Sequence, residues 1–180
     1  HHRDGLVGDV VEVRPTVPDD ADGLFTALDH AVVWEHLTVE RPHMALEMRE
    51  HVERAQQSMH PWTVRLRSPL RDLPAGAVVG WSSYLEVSAP DARLEIGSTA
   101  YAPAVWASRV NPETKLLLLG HAFDTLGFGR VQPKTDVRNT PTLVVNYGGL
   151  NAEYYWYAKD NIWENERLLK FFPSNSLDGR

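Results

Sequence analysis

The run VNPETKLLLLGHAFDTL, residues 110–126, constrains this chain more than any other stretch. Leu116, Leu117, Leu118, Leu119, Ala122, Phe123 and Leu126 are buried-type residues placed nearly all round a helix, so the segment calls for apolar cover on more than one side. Its start is polar. Asn111 is a strong N-cap type, Pro112 suits a first helical position because it has no N–H to leave unpaired, and Glu113 falls where the helix dipole favours an acid. The helix is therefore expected to begin at Pro112. Its free amides would then project into the segment Trp106, Ala107, Ser108, Arg109, Val110 and Asn111, which could cradle a pyrophosphate with Arg109 adding a fixed positive charge. Two readings follow from this segment alone: an ordinary capped core helix, or a helix whose N-terminus meets an anion. Nine residues past Leu126 the polar turn TDVRN, 135–139, closes the next expected strand with side-chain donors, a pairing that points to a phosphate-bearing cofactor.

Composition narrows the class. A chain of 180 residues with 43% apolar residues can bury a real core, and the expectation is one domain over residues 1–180. A net charge of −6 argues against a general nucleic-acid binder, and no block of lysines or arginines suggests a membrane surface. Without cysteine there is no disulfide, thiolate nucleophile or cysteine metal site. The eight histidines show no His-Glu-x-x-His or comparable ligand spacing, so no metal is expected. The apolar stretches are too short to span a bilayer and the first residues lack a basic-then-apolar leader pattern, so a cytoplasmic location is expected.

Hydrophobic periodicity orders the elements. Val11 and Val13 alternate with Glu12 and Arg14 as a first strand, stopped by Pro15 and Pro18. Asp19 caps a helix with the stripe Ala21, Leu24, Phe25, Leu28 and Val32; a second helix over 44–59 buries Met44, Met48, Val52, Ala55 and Met59. From Trp62 the period becomes two, with Trp62, Val64 and Leu66 on one face and Thr63, Arg65 and Arg67 on the other. Strands over 77–87 and 93–100 are joined by the short turn Ala89-Pro90-Asp91 and should form an antiparallel hairpin; residues 130–136 form one more strand after the long helix. The order is that of a mixed α/β layout with helices on both faces of a sheet.

That order, with RLEIGSTAYAP at Arg93, VNPETKLLLLGHAFDTLG at Val110 and RVQPKTDVRN at Arg130, resembles the GNAT superfamily of acetyl-CoA-dependent N-acetyltransferases, nearest its RimJ/RimL ribosomal-protein branch. The resemblance spans residues 11–142 and implies a largely antiparallel sheet splayed between its fourth and fifth strands. It implies acetyl-CoA as co-substrate and an amine acceptor, either a protein N-terminus or a small molecule. The family's pyrophosphate loop falls on Trp106, Ala107, Ser108, Arg109, Val110 and Asn111, although Arg109 and Asn111 stand where glycine or another small residue is usual. The family's asparagine after the fifth strand falls on Asn139, and its frequent serine three residues on falls on Thr142.

The resemblance further implies that the amine loses a proton while a fourth-strand N–H polarises the thioester carbonyl. Glu95 is the candidate base because it opposes Leu94 and Ile96 on its strand; the competing reading pairs it with Arg93 or Arg65 on a solvated face. Tyr84 is the candidate acceptor-pocket residue, with a buried aromatic as its competing reading. The alternative function is a degenerate GNAT-fold domain that binds coenzyme A or a protein without catalysis. After Thr142 the sequence departs from the family pattern, and the aromatic-rich residues 147–172 suggest either a strand at Tyr154–Tyr157 covering the sheet edge or the contact of a homodimer.

Overall fold

The computed structural model describes residues 5–35, 37, 39–133 and 157–158. Seven strands lie in one sheet in chain order: β1 (Leu6–Val7), β2 (Val11–Pro15), β3 (His60–Leu66), β4 (Val78–Ser88), β5 (Arg93–Tyr101), β6 (Arg130–Pro133) and β7 (Tyr157–Ala158). The helices are α1 (Ala21–Leu28), α2 (Ala31–Trp34), α3 (Ala45–Ser58) and α4 (Val110–Gly120). Every neighbouring pair is antiparallel except β5 and β6, which α4 connects as a crossover. Their pairing runs from Arg93↔Arg130 to Ile96↔Pro133, and Pro133, which has no N–H to donate, stands at its last described rung. Beyond it, residues 97–101 of β5 pair with β4 alone among the described residues. The expected mixed α/β fold with a largely antiparallel sheet is the one observed.

Each face of the sheet has its own core. On one, α4 packs Val110, Leu118 and Leu119 against Val13, Val64 and Ile96; on the other, α1 and α3 pack Leu24, Met48 and Val52 against Trp81 and Ala100. The alternation expected for β3 is observed, since Trp62, Val64 and Leu66 join the α4 core. Its polar face is nevertheless covered: Thr63 is buried and donates to Asp20 at 2.9 Å, beside Arg65 on the same carboxylate at 2.5 Å.

Several boundaries differ from expectation for local reasons. A 3-10 turn, Pro18–Asp20, precedes α1, so Asp20 rather than Asp19 holds the turn by accepting from the Val17 N–H at 3.0 Å. The helical stripe breaks after Leu28, leaving Val32 exposed on the separate α2, and Met44 is an exposed N-cap rather than part of the α3 core. Helix α4 begins at Val110, not Pro112. Ser108 accepts from the Val110 N–H at 3.3 Å and the Glu113 N–H reaches Arg109 O at 3.0 Å, which winds the first turn earlier and places Asn111 inside it. The helix then widens to a π-turn, His121–Thr125, before Gly127 turns the chain at φ 72°. Residues Tyr157–Ala158 pair antiparallel with Arg130 and Val131, within the chain; the remainder of 147–172, with Asn139 and Thr142, lies outside the described residues.

Helix α4 is pinned by a buried anion. The Glu113 carboxylate accepts from the N–H groups of Asp9, Val10 and Val11 at 3.1, 2.7 and 2.7 Å, and a Cβ on Gly8 would lie 2.6 Å from it. Three amides at the β1–β2 turn thus replace water around one charge, with Arg109 at 3.5 Å. Glu113→Ala would orphan these donors and should lower stability by about 1–3 kcal/mol in urea unfolding; Gly8→Ala should destabilise the chain through the same carboxylate.

Candidate active site

The loop entering α4 is turned by Ala107 in the left-handed region at φ 54°. Arg71 donates to Ala104 O at 2.5 Å and to Trp106 O at 3.2 Å, and Ser108 Oγ donates to Val105 O at 2.5 Å. The loop is therefore held by its carbonyls, while the first turn of α4 uses the Val110 N–H on Ser108 Oγ and the Glu113 N–H on Arg109 O. Arg71 and Arg109 bring two guanidinium groups to this end of the helix. Arg109 is half exposed and shares its charge with Asp9 and Glu113, each at 3.5 Å. This exposed helix start, with cationic side chains beside it, fits the pyrophosphate of a nucleotide-type cofactor.

Next to the loop, β5 carries a bulge. Trp81 pairs with Ala100 and Ser83 with Gly97, so two steps of β4 face three of β5, and Ser98 takes φ 46°. The extra residue re-aims the strand. Leu94 and Ile96 point into the α4 core, yet past the bulge Ala100 packs in the α1–α3 core and Tyr101 in the α4 core, the reverse of unbroken alternation.

The two catalytic candidates fall on opposite faces. Leu94 and Ile96 join the α4 core, so Glu95 between them faces the α3 side; a Cβ on Gly97 would meet Leu85 Cδ1 at 3.0 Å and Glu95 Oε1 at 3.2 Å. Arg93 pairs with Asp91 at 3.4 Å and Arg65 with Asp20. Tyr84 lies on the α4 side, buried, and donates its hydroxyl to Leu118 O at 2.6 Å; burial pushes its ionisation well above the ordinary range. It lines an apolar cavity of about 520 Å³ with Trp62, Leu94, His121 and Phe128, away from Glu95.

On the α3 side a second cavity of about 660 Å³ lies between α3 and the sheet, lined by Glu40, His51, Arg54, Leu85 and Ser98 among others. Neither Glu95 nor Tyr84 lines it, but Leu85 is the cross-strand partner of Glu95. His51 packs edge-on to Trp34 and against Trp81, with ring centroids 5.8 and 5.3 Å away. Burial and then the Arg54 charge lower its pKa below the ordinary histidine value. Ser83 Oγ and Trp81 Nε1 are buried on this same side and have no hydrogen-bond partner among the described residues.

The group that sequence reasoning passed over is Lys115. Its amine is buried between α4 and the sheet, 3.1 Å from Ser82 Oγ and 2.7 Å from Thr99 Oγ1, and those hydroxyls are 2.8 Å apart. No carboxylate among the described residues comes within ion-pair distance, and desolvation lowers its pKa from 10.5 to about 7. The signal was visible as a single cation ahead of four leucines on an otherwise buried helix. Because the unfolded chain keeps this proton to higher pH than the folded chain, stability should rise with pH from about 7 towards 10.5. Lys115→Met should flatten that rise and raise stability most at or below pH 7, as read from urea midpoints across pH.

A sheet crossed by one parallel pair, with a helix start and a bulged strand meeting at its open edge, defines an acyltransferase fold. The model of the acetyltransferase (GNAT) domain matches residues 11–145, and the chain belongs to that family. No protein of curated function matches it in sequence. Among solved structures, it is similar to a GNAT-family protein of Chromobacterium violaceum at 23% identity and TM-score 0.68, over 79% of this chain and 70% of that one. It is also similar to Mycobacterium smegmatis RimJ in complex with CoA-disulfide, at 19% identity and TM-score 0.62 over 78% and 71%. A third neighbour is RimL, the ribosomal L7/L12 α-N-protein acetyltransferase, at 15% identity and TM-score 0.63 over 77% and 75%.

Proposed function

We propose that this protein is an acetyl-CoA-dependent N-acetyltransferase that passes an acetyl group directly to a primary amine, either a protein N-terminus or a small molecule. The observation that carries the reading is the start of α4, an exposed loop flanked by the Arg71 and Arg109 guanidinium groups, beside residues 97–101 of β5, which pair with β4 alone among the described residues. Trp106, Ala107, Ser108, Arg109, Val110 and Asn111 would hold the pyrophosphate of coenzyme A, and Asn139 and Thr142, beyond the described residues, are proposed to contact the same cofactor. Acetyl-CoA supplies an activated acyl thioester. Glu95 would take up the proton released by the amine, and backbone N–H groups at the β5 bulge would donate to the thioester carbonyl oxygen as the C–N bond forms. The C–S bond would then break, with coenzyme A leaving as a thiolate that takes a proton to become the free thiol. Tyr84, with its hydroxyl tied to Leu118 O, acts by shaping the sheet rather than by moving a proton. The cavity carrying His51 and Ser98 is proposed to admit the acceptor. No metal is required by this chemistry.

The same reading takes residues 1–180 as one domain working in the cytoplasm, as a homodimer whose contact includes part of 147–172. Light scattering of the full chain checks the last point, and a monomer at high concentration removes it.

Acetyl-CoA should raise the melting temperature saturably. Arg109→Ala should weaken this effect, whereas Glu95→Gln should preserve it and lower kcat by about a hundredfold or more. Thiol release from acetyl-CoA against a panel of amines and peptide N-termini measures turnover. A thermal shift without turnover on any acceptor would favour a non-catalytic coenzyme A-binding domain, the reading prompted by Arg109 and Asn111 at positions where small residues are usual. No shift at millimolar acetyl-CoA would overturn both.

A further inference from the structure

The Lys115 amine joins α4 to both strands of the β4–β5 pair, where Tyr84 Oη donating to Leu118 O makes another polar link between the helix and β4. Helix α4 begins at the cofactor loop, β5 carries the bulge, and β4 carries Ser82 opposite it; Lys115 leaves α4 five residues after its start and reaches both strands. Thr99 follows Ser98, the residue held at φ 46°, so the hydroxyl it offers Lys115 belongs to the bulge itself. The three distances, 3.1, 2.7 and 2.8 Å, close a triangle. An uncharged amine completes it, because amine and hydroxyls can each donate once and accept once round the ring. An ammonium can donate to both hydroxyls, but it leaves a third N–H unpaired and buries a charge with no anion beside it among the described residues.

Among the described residues, no carboxylate lies within ion-pair distance to compensate the charged form. From β4 the titratable side chain on this face is Tyr84, committed to Leu118 O, and from β5 it is Tyr101, whose ionisation burial also pushes upward. On α4 itself Glu113 is spent on the amides of Asp9, Val10 and Val11. His121, further along the helix, packs with Trp62 and Tyr84.

We propose that Lys115 is a positioning residue that, in its uncharged state, locks the β5 bulge to α4 and so fixes the bulge amides relative to the cofactor loop. The proposal rests on the acetyl-CoA reading for its consequence, but its physical content belongs to the cofactor-free chain. Protonating Lys115 places an uncompensated charge in this layer, which drives the amine towards water, frees Thr99, and lets the bulge lose its register with the helix.

The first test uses the wild-type chain without cofactor. The Thr99 methyl resonance should titrate together with the Lys115 side chain near neutral pH, and exchange of the Ser98 and Thr99 amides should exceed its ordinary base-catalysed pH trend on the acid side. In Lys115→Met the Thr99 methyl should no longer titrate. A Thr99 resonance that is flat across pH in the wild type overturns the proposal, whatever the chain does with acetyl-CoA.

The second test reads turnover as the ratio of wild-type to Lys115→Met rate, in which the acceptor amine's own titration cancels. The variant should bind acetyl-CoA within about twofold while kcat falls about tenfold or more, as expected for a misplaced reacting geometry. The ratio should grow as pH rises through neutrality. Thr99→Val should reproduce the loss and Thr99→Ser should largely retain activity, so the inference does not depend on one variant folding. A ratio independent of pH, or a Thr99→Val enzyme as fast as wild type, overturns the proposal. Wild-type chain that shows the Thr99 titration but binds no acetyl-CoA overturns the functional reading and leaves the Lys115 lock standing.

Discussion

The attachment of α4 to the sheet is the constraint on which the rest depends, and two ionisable side chains make it. Glu113 points from the first turn into three amides of the β1–β2 turn, and Lys115, two residues on, points into two hydroxyls of β4 and β5. Leucines can bury area but cannot set a helix's rotation or its position along its own axis. Directional contacts from neighbouring turns can. The anion is placed where amides are plentiful and the cation where only hydroxyls are. Desolvation drives the Lys115 amine toward neutrality, without the two side chains pairing with each other.

The bulges give the sheet its functional asymmetry. At Gly80, with φ 153°, a Cβ would sit 2.1 Å from Ala100 O, so only glycine lets β4 pass that close to β5. Three rungs away Ser98 absorbs the extra residue of β5. Between these points the strands exchange which side chains meet which helix layer, so Trp81 and Ala100 face α3 while Ser82 and Thr99 face Lys115. The loop entering α4 and the cavity beside α3 then lie on different layers of one strand pair. Unbroken alternation would have kept them on a single face.

The element order and the β4–β5 hairpin were legible because each is written locally, in periodicity or a short turn. Opposed faces for Glu95 and its neighbours were legible for the same reason, since no bulge lies between Arg93 and Gly97. What was not legible is what depends on a distant partner. Nothing near Asn111 says that Ser108 will take over its capping work, and nothing near Glu113 says that its carboxylate will be spent on the β1–β2 turn. Ser98 is an ordinary strand residue in sequence; its backbone conformation is imposed by the register of Trp81 and Ser83 across the ladder.

Lys115 shows where such reading can be extended. A lysine inside an apolar helical run normally extends its amine to solvent along its own aliphatic stem. Here the stem runs inward, because β4 and β5 present hydroxyls at adjacent positions beneath it and the neighbouring Leu118 and Leu119 close the layer. The bulge is what makes those hydroxyls adjacent: without the extra residue Thr99 would face α3 and the amine would have a single partner. The buried amine on one element and the bulge on another are therefore one feature, and they meet where α4 crosses β4 and β5.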